Sequence, residues 1–210
     1  MNIIQKPSPN FTAGRNGKQI IAIVCHITAG SFPGCLNWMQ NPVAKASAHY
    51  LVNKKGEIYQ LVQDKDTSWH VGIVNKCTWN LYDGTNPNRY TLGIEFESLG
   101  EGLTEPQYKA GLWLIDMLVK KYNIPIDDSH IIGHYKIDGV NRVNDPGKNF
   151  PWIQLFKDLR EGMEVADWMK KIIDDALTVG LITERHNPTE PVQKWFVLAI
   201  ALNLLKIVKR

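Results

Sequence analysis

Between residues 130 and 152 the chain reads HIIGHYKIDGVNRVNDPGKNFPW, which gathers His130, His134, Asp138 and Asp145 in one short stretch. Imidazoles and carboxylates are ligands that Zn2+ accepts. Hydrolytic zinc centres draw three ligands from the protein and keep a fourth position for a water whose pKa falls to about 7. The six histidines, at 26, 49, 70, 130, 134 and 186, together with Asp138 and Asp145, are the candidate ligands. His130 and His134 are four apart, a helical metal pair in principle, but Ile131, Ile132 and Gly133 between them favour a strand. Four strand positions span roughly 13 Å, so at most one of the two binds a given ion, and spacing alone does not say which. At 145 to 147 the Asp-Pro-Gly run reads as a tight turn. Pro146 disfavours helical geometry at Asp145, and Gly147 permits the turn.

Elements must hold these side chains in place. QIIAIVCH, residues 19 to 26, is an unbroken apolar run that suits a strand buried on both faces, with His26 at its end. AHYLVNKKGEIYQLVQ, residues 48 to 63, reads as two strands around a Lys-Lys-Gly turn at 54 to 56. TLGIEFES, residues 91 to 98, alternates so that Ile94 and Phe96 share one face while Glu95 and Glu97 share the other. Thr104 is placed to cap a helix, with Pro106 in its first turn and Gln107 at the third position. The spacing of Tyr108, Leu112, Ile115, Leu118, Val119 and Tyr122 gives that helix its apolar face. HIIGH follows as a strand, and a short helix is expected near Pro151. This order predicts an α/β or α+β domain over residues 1 to 160.

From Glu161 and Gly162 the composition changes. Val165, Trp168, Met169, Ile172, Ile173, Ala176 and Leu177 recur at helical spacing up to Gly180, and a second apolar helix is expected from about Pro191. Residues 164 to 210 are therefore read as a small helical hairpin, which must pack on the main domain, on another copy or on a ligand. The run WFVLAIALNLL from Trp195 falls well short of the roughly 20 apolar residues that span a bilayer, so no transmembrane segment is expected.

The net charge is +3, with Lys and Arg scattered along the chain, which gives no reason to expect a nucleic-acid partner. The opening MNIIQKPSPNFTAGRNGK turns polar too soon for a signal peptide, and three unpatterned cysteines suit a reducing cytoplasm. Cys25 lies on the strand face opposite His26 and is read as a small core residue. Cys35 and Cys77 have no metal-like spacing.

IVCHITAG, ASAHYLVNKKGEIYQLV, SWHVG, TLGIEFE, GHYKID, NDPG and FPW occur in an order that resembles the zinc-dependent N-acetylmuramoyl-L-alanine amidases. That family includes phage endolysins, autolysins, muropeptide-recycling enzymes and peptidoglycan recognition proteins. The resemblance covers roughly residues 18 to 158 and implies a central mixed β-sheet flanked by helices with a zinc cleft on one side. It implies His26, His134 and Asp145 as zinc ligands, with Asp138 the alternative carboxylate. It implies Glu95 as the acid and base beside the water, a role that alternation alone could equally give to a solvated strand residue. His49, Trp69, His70, Asn80 and Arg142 are then expected to bind substrate, which would be peptidoglycan.

One departure stands out. Recycling relatives carry a lysine two residues before the aspartate ligand, where this chain has Val143 in a loop one residue longer. Arg142 or Lys136 is then the substitute, unless His70 and zinc suffice. The C-terminal hairpin resembles, more loosely, half of a surface-layer-homology-like wall-binding unit; the other reading is a hairpin for packing or homodimerisation. Amidase core, appended hairpin and absent signal peptide together suggest an endolysin held in the host cytoplasm until lysis and then acting at the wall. Two rival readings are a non-catalytic peptidoglycan-binding module and a cytoplasmic recycling amidase.

Overall fold

The computed structural model describes residues 1–178 and residue 180, with side chains described at 1–162, 171, 172, 174–178 and 180. The chain divides into two compact units, Met1–Arg160 and Glu161–Arg210. The first is built on a six-stranded mixed sheet. Its strands are β1 (Ile3–Gln5), β3 (Ala22–Ile27), β4 (Tyr50–Val52), β5 (Ile58–Gln60), β7 (Thr91–Phe96) and β8 (Ile131–Gly133), in the order β1-β5-β4-β7-β3-β8. Only the β4–β5 hairpin is antiparallel; every other neighbouring pair runs parallel. Strands β2 (Phe11–Thr12) and β6 (Thr67–Ser68) form a separate antiparallel pair.

β3 has a strand on either side, β7 and β8, and is covered on both faces, which is why Ala22–Cys25 are all apolar before His26. Its odd positions Ile23 and Cys25 join the core under the helices α2 (Glu105–Tyr122) and α3 (Trp152–Thr178). Its even positions Ala22 and Val24 face a second cluster built with Val71, Trp79, Tyr90, Ile132 and Ile137. A third cluster sits under α1 (Gly34–Gln40), where Cys35, Leu36 and Met39 meet Leu51, Tyr59 and Leu61. Each large side chain so buried contributes about 1.5–3 kcal/mol.

Thr104 and Gln107 form the reciprocal cap expected from the sequence, and Gln107 also donates to the carbonyls of Val52 and Glu97, tying the helix start to β4 and β7. Ile115, Leu118 and Val119 of the expected apolar face of α2 are buried, but the rest of that face is displaced. Ala110 and Leu114 are fully buried, while Tyr108, Leu112 and Tyr122 lie at the margin of the core. The reason is close approach: a Cβ on Gly111 would stand 2.5 Å from the Phe96 ring, so the small residues rather than Leu112 face the sheet.

α3 also differs from the reading of a short helix followed by a new one. It continues through Glu161 and Gly162 for 27 residues, because one glycine costs a helix interior only about 1 kcal/mol. The helix expected from Pro191 lies outside the described residues. Among the described residues no helix is long and apolar enough to cross a membrane.

Candidate metal centre

Parallel strands carry their sites at their carboxyl ends, where loops leave the sheet together. β3, β7 and β8 are parallel neighbours, so His26, Glu95 and His134 emerge at one edge: His26 pairs with Glu95 in register, and His134 directly follows Gly133. The loop after His134 then returns Asp145 to the same place. A Cβ on Gly133 would lie 2.7 Å from Pro146 and 2.5 Å from Tyr135, so this glycine lets the Asp-Pro-Gly turn pack on the strand end. Asp145 is held from both sides. Its Oδ1 accepts the Ile27 N–H at 2.8 Å, and its carbonyl accepts from Tyr135 N–H at 3.1 Å.

Three ligand atoms converge there. His26 Nδ1 and His134 Nδ1 are 3.0 Å apart, and Asp145 Oδ2 lies 3.4 Å from the first and 3.0 Å from the second. Ligands of a tetrahedral Zn2+ at its usual bond lengths sit about 3.3 Å from one another, so the triangle has the size of three corners of such a site. The donor chemistry agrees. His134 Nε2 donates to the Val71 carbonyl at 2.7 Å, which leaves Nδ1 of the neutral ring as a lone pair aimed at the Asp145 carboxylate. Lone pairs face lone pairs unless a cation lies between them. Among the described residues this is the one cluster of three or more His, Cys, Asp or Glu able to hold a metal.

Asp145 would be pushed up by burial, but the facing His134 and His26 outweigh this and hold it below the usual carboxylate range. His26 is lowered by burial and then by the neighbouring His134. Both shifts favour the states that ligate a metal.

Glu95 and Glu97 share a strand face yet have different surroundings. Glu97 is a structural anchor, its two oxygens accepting the N–H groups of Phe32 and Lys54, each at 2.9 Å. Glu95 lines the cleft beside the triangle, and its Oε2 is buried with no hydrogen-bond partner. Burial, and then the Asp145 charge, push Glu95 up to about 8, against a downward pull from Arg142.

The remaining sequence candidates divide. Trp69, His70 and Arg142 line the cleft. His49 does not: it is fully buried, its Nδ1 taking the Gly93 N–H at 3.0 Å while its Nε2 lies 2.7 Å from Arg15 Nη2, so it has no face for substrate. Burial and Arg15 lower it to about 3. Asn80 is also away from the cleft, because the segment carrying it packs on the β8 side, where Trp79 donates to the Ser129 carbonyl and Asn80 to the Ser129 hydroxyl. His130 binds Asp127 at 2.7 Å. Asp138 caps its own turn through the N–H groups of Val140 and Asn141, which removes it as a ligand. Lys136 donates to the Asp128 carbonyl, leaving Arg142 as the Lys or Arg residue that lines the cleft.

Sequence reasoning missed Trp38. It lies on α1, is 54% exposed and lines the cleft, as do Met39, Ala46 and Ser47. Nothing in the run CLNWMQ marks it, since only the packing of α1 on the sheet brings it to the metal side.

The pattern of the N-acetylmuramoyl-L-alanine amidase family matches residues 16–148, a span containing His26, Glu95, His134 and Asp145. The chain belongs to this family. It is 27% identical to N-acetylmuramoyl-L-alanine amidase A of Achromobacter lyticus over 177 residues, covering 74% of this chain and 90% of that protein. Among solved structures it is similar to the amidase AmiD of E. coli in complex with anhydro-N-acetylmuramic acid-L-Ala-D-gamma-Glu-L-Lys. That likeness has a TM-score of 0.58 and 28% identity, over 70% of this chain and 58% of that one. A mutant endolysin from Bacillus subtilis superimposes with a TM-score of 0.55 and 25% identity, over 76% of this chain and 99% of that one. The chain spans about half the full length of AmiD, 52%.

Proposed function

We propose that this amidase cuts the amide joining the lactyl group of N-acetylmuramic acid to L-alanine in peptidoglycan, with His26, His134 and Asp145 as the ligands of Zn2+. The observation that carries this reading is the triangle of lone pairs at 3.0, 3.0 and 3.4 Å with the unpartnered Glu95 Oε2 beside it. Zn2+ held by His26, His134 and Asp145 would supply Lewis-acid polarisation of the scissile carbonyl and lower the pKa of the attacking water. Glu95, ionised once a bound cation offsets the Asp145 charge that raises it, takes a proton from the water as the new C–O bond forms. It returns that proton to the nitrogen as the C–N bond breaks, so the products are a lactyl carboxyl and a free L-alanine amino group.

The other residues bind and orient. Arg142, on the loop between two ligands, supplies the positive charge that Val143 lacks and faces either the developing oxyanion or a stem-peptide carboxylate. A cleft of about 200 Å³ is smaller than the roughly 300–1,000 Å³ typical of ligand pockets, so only the scissile amide and its nearest groups enter it. The rest of the substrate lies over the rim, against Trp38 and Trp69. Residues 164–210 are assigned to wall binding or self-association, and the chain to endolysin-type action at the wall, supported by the separate unit Glu161–Arg210 and the endolysin likeness.

The test is mass spectrometry of a defined N-acetylmuramoyl tripeptide after incubation with the zinc-loaded protein. Free tripeptide and free N-acetylmuramic acid are expected. Products cut at any other bond, or none, would overturn the reading.

A further inference from the structure

His70 touches no ligand atom of the triangle, yet it is buried against His26 at the ring nitrogen that faces away from the triangle. His26 Nε2 and His70 Nδ1 are 3.0 Å apart, with the two rings edge to face at 5.1 Å. On its far side, His70 Nε2 lies 3.0 Å from the hydroxyl of Thr91, and that hydroxyl is 2.8 Å from the Pro87 carbonyl. These contacts fix every proton in turn. The Pro87 carbonyl can only accept, so the Thr91 hydroxyl spends its single proton there and receives from His70. His70 Nε2 therefore carries the ring proton, and Nδ1 of the neutral ring is an acceptor. His26 must then donate from Nε2, which leaves its Nδ1 as the lone pair pointing into the triangle.

The strand is shaped around this relay. A Cβ on Gly93 would stand 2.5 Å from His70 Cγ and 2.7 Å from its Nδ1, so β7 has a side-chain-free position where the ring lies against the backbone. Thr91 is fully buried two residues earlier on the same face. His70 is also anchored through its backbone, its N–H and that of Val71 both donating to Asn88 Oδ1.

We propose that His70 is a positioning residue for the metal centre: with Thr91 behind it, it holds His26 in the tautomer and ring orientation that ligation requires. This assigns His70 a part different from substrate contact, and it rests on the reading of His26, His134 and Asp145 as the metal ligands. Partners of this kind are worth about 10- to 100-fold in metal affinity.

The experiment measures Zn2+ affinity by chelator competition, and the absorption spectrum of the Co2+ form, for the parent, His70→Ala, His70→Asn and Thr91→Val, with circular dichroism as the folding control. His70→Ala is expected to bind Zn2+ about 10- to 100-fold more weakly, and its Co2+ spectrum is expected to change. His70→Asn, whose Oδ1 restores an acceptor near the Nδ1 position, is expected to recover most of the loss. Thr91→Val should lose less than His70→Ala. Unchanged Zn2+ affinity in folded His70→Ala, or no recovery in His70→Asn, would overturn the proposal, and a raised KM would then mark His70 as a substrate contact. Should His70→Ala not fold, unchanged affinity in Thr91→Val overturns it instead. A parent that binds no Zn2+ would bring down the reading of the ligand triangle itself, and this proposal with it.

Discussion

His26 and Glu95 are register partners on adjacent parallel strands, so the first ligand and the proton carrier leave the sheet side by side. A single strand pairing thus sets the spacing between this ligand and the base. Glu95→Gln is expected to lower turnover by about 100- to 10,000-fold while one Zn2+ per chain stays bound. Rate assays with metal analysis check this. Full activity in that variant would remove Glu95 from the mechanism.

The same substitution should stabilise the metal-free protein. Glu95 is raised to about 8 in the fold, so between its ordinary value near 4.5 and pH 8 the folded chain holds a proton that the unfolded chain has released. Stability therefore falls as pH rises across that window, and Glu95 costs most above pH 8. Melting curves without metal should show Glu95→Gln gaining over the parent from pH 5 to pH 8, with no gain at pH 4. A gain at pH 4 equal to that at pH 8 would contradict the electrostatic origin.

Part of the site was legible in the sequence because it hangs on strand ends and one turn: His26 closes an apolar run and Asp145 opens an Asp-Pro-Gly turn, whereas the choice of His134 over His130 came from the family resemblance. What was illegible depended on depth. His49 and His70 look alike in sequence, but only the packing of Arg15 behind β4 buries His49 completely. Glu95 and Glu97 were equal by alternation and differ because two backbone N–H groups reach only Glu97. Trp38 and the true face of α2 depended on how closely helices approach the sheet, which spacing does not encode.

Gly133→Ala tests how the ligand turn is seated. The new Cβ would collide with Tyr135 and Pro146, and overpacking of this kind costs about 1–3 kcal/mol. Displacement of Pro146 should also weaken Zn2+ binding, through Asp145. Differential scanning calorimetry and chelator competition measure the two effects. A stable variant with parental affinity would show that the turn does not depend on the strand end.

Asp64 should govern part of the acid limb of stability. Burial would raise it, but Lys121, Tyr50 and Tyr122 donate to it, at 2.8, 2.6 and 2.8 Å, and hold it below its ordinary value. A depressed carboxylate contributes stability that is present above its unfolded pKa, near 4, and is lost as pH falls through the folded value. Asp64→Asn should cost about 1–3 kcal/mol at pH 7, with the difference from the parent shrinking below pH 4. Denaturant titrations at both pH values check the sign. A deficit that grows on acidification would refute it.

The most direct measurement incubates the zinc-loaded protein with purified peptidoglycan, with and without a chelator, and assays new L-alanine amino termini alongside new reducing sugar ends. The account predicts amino termini that vanish with the chelator and return with Zn2+, and no reducing ends. Reducing ends, or amino termini indifferent to the chelator, would contradict it.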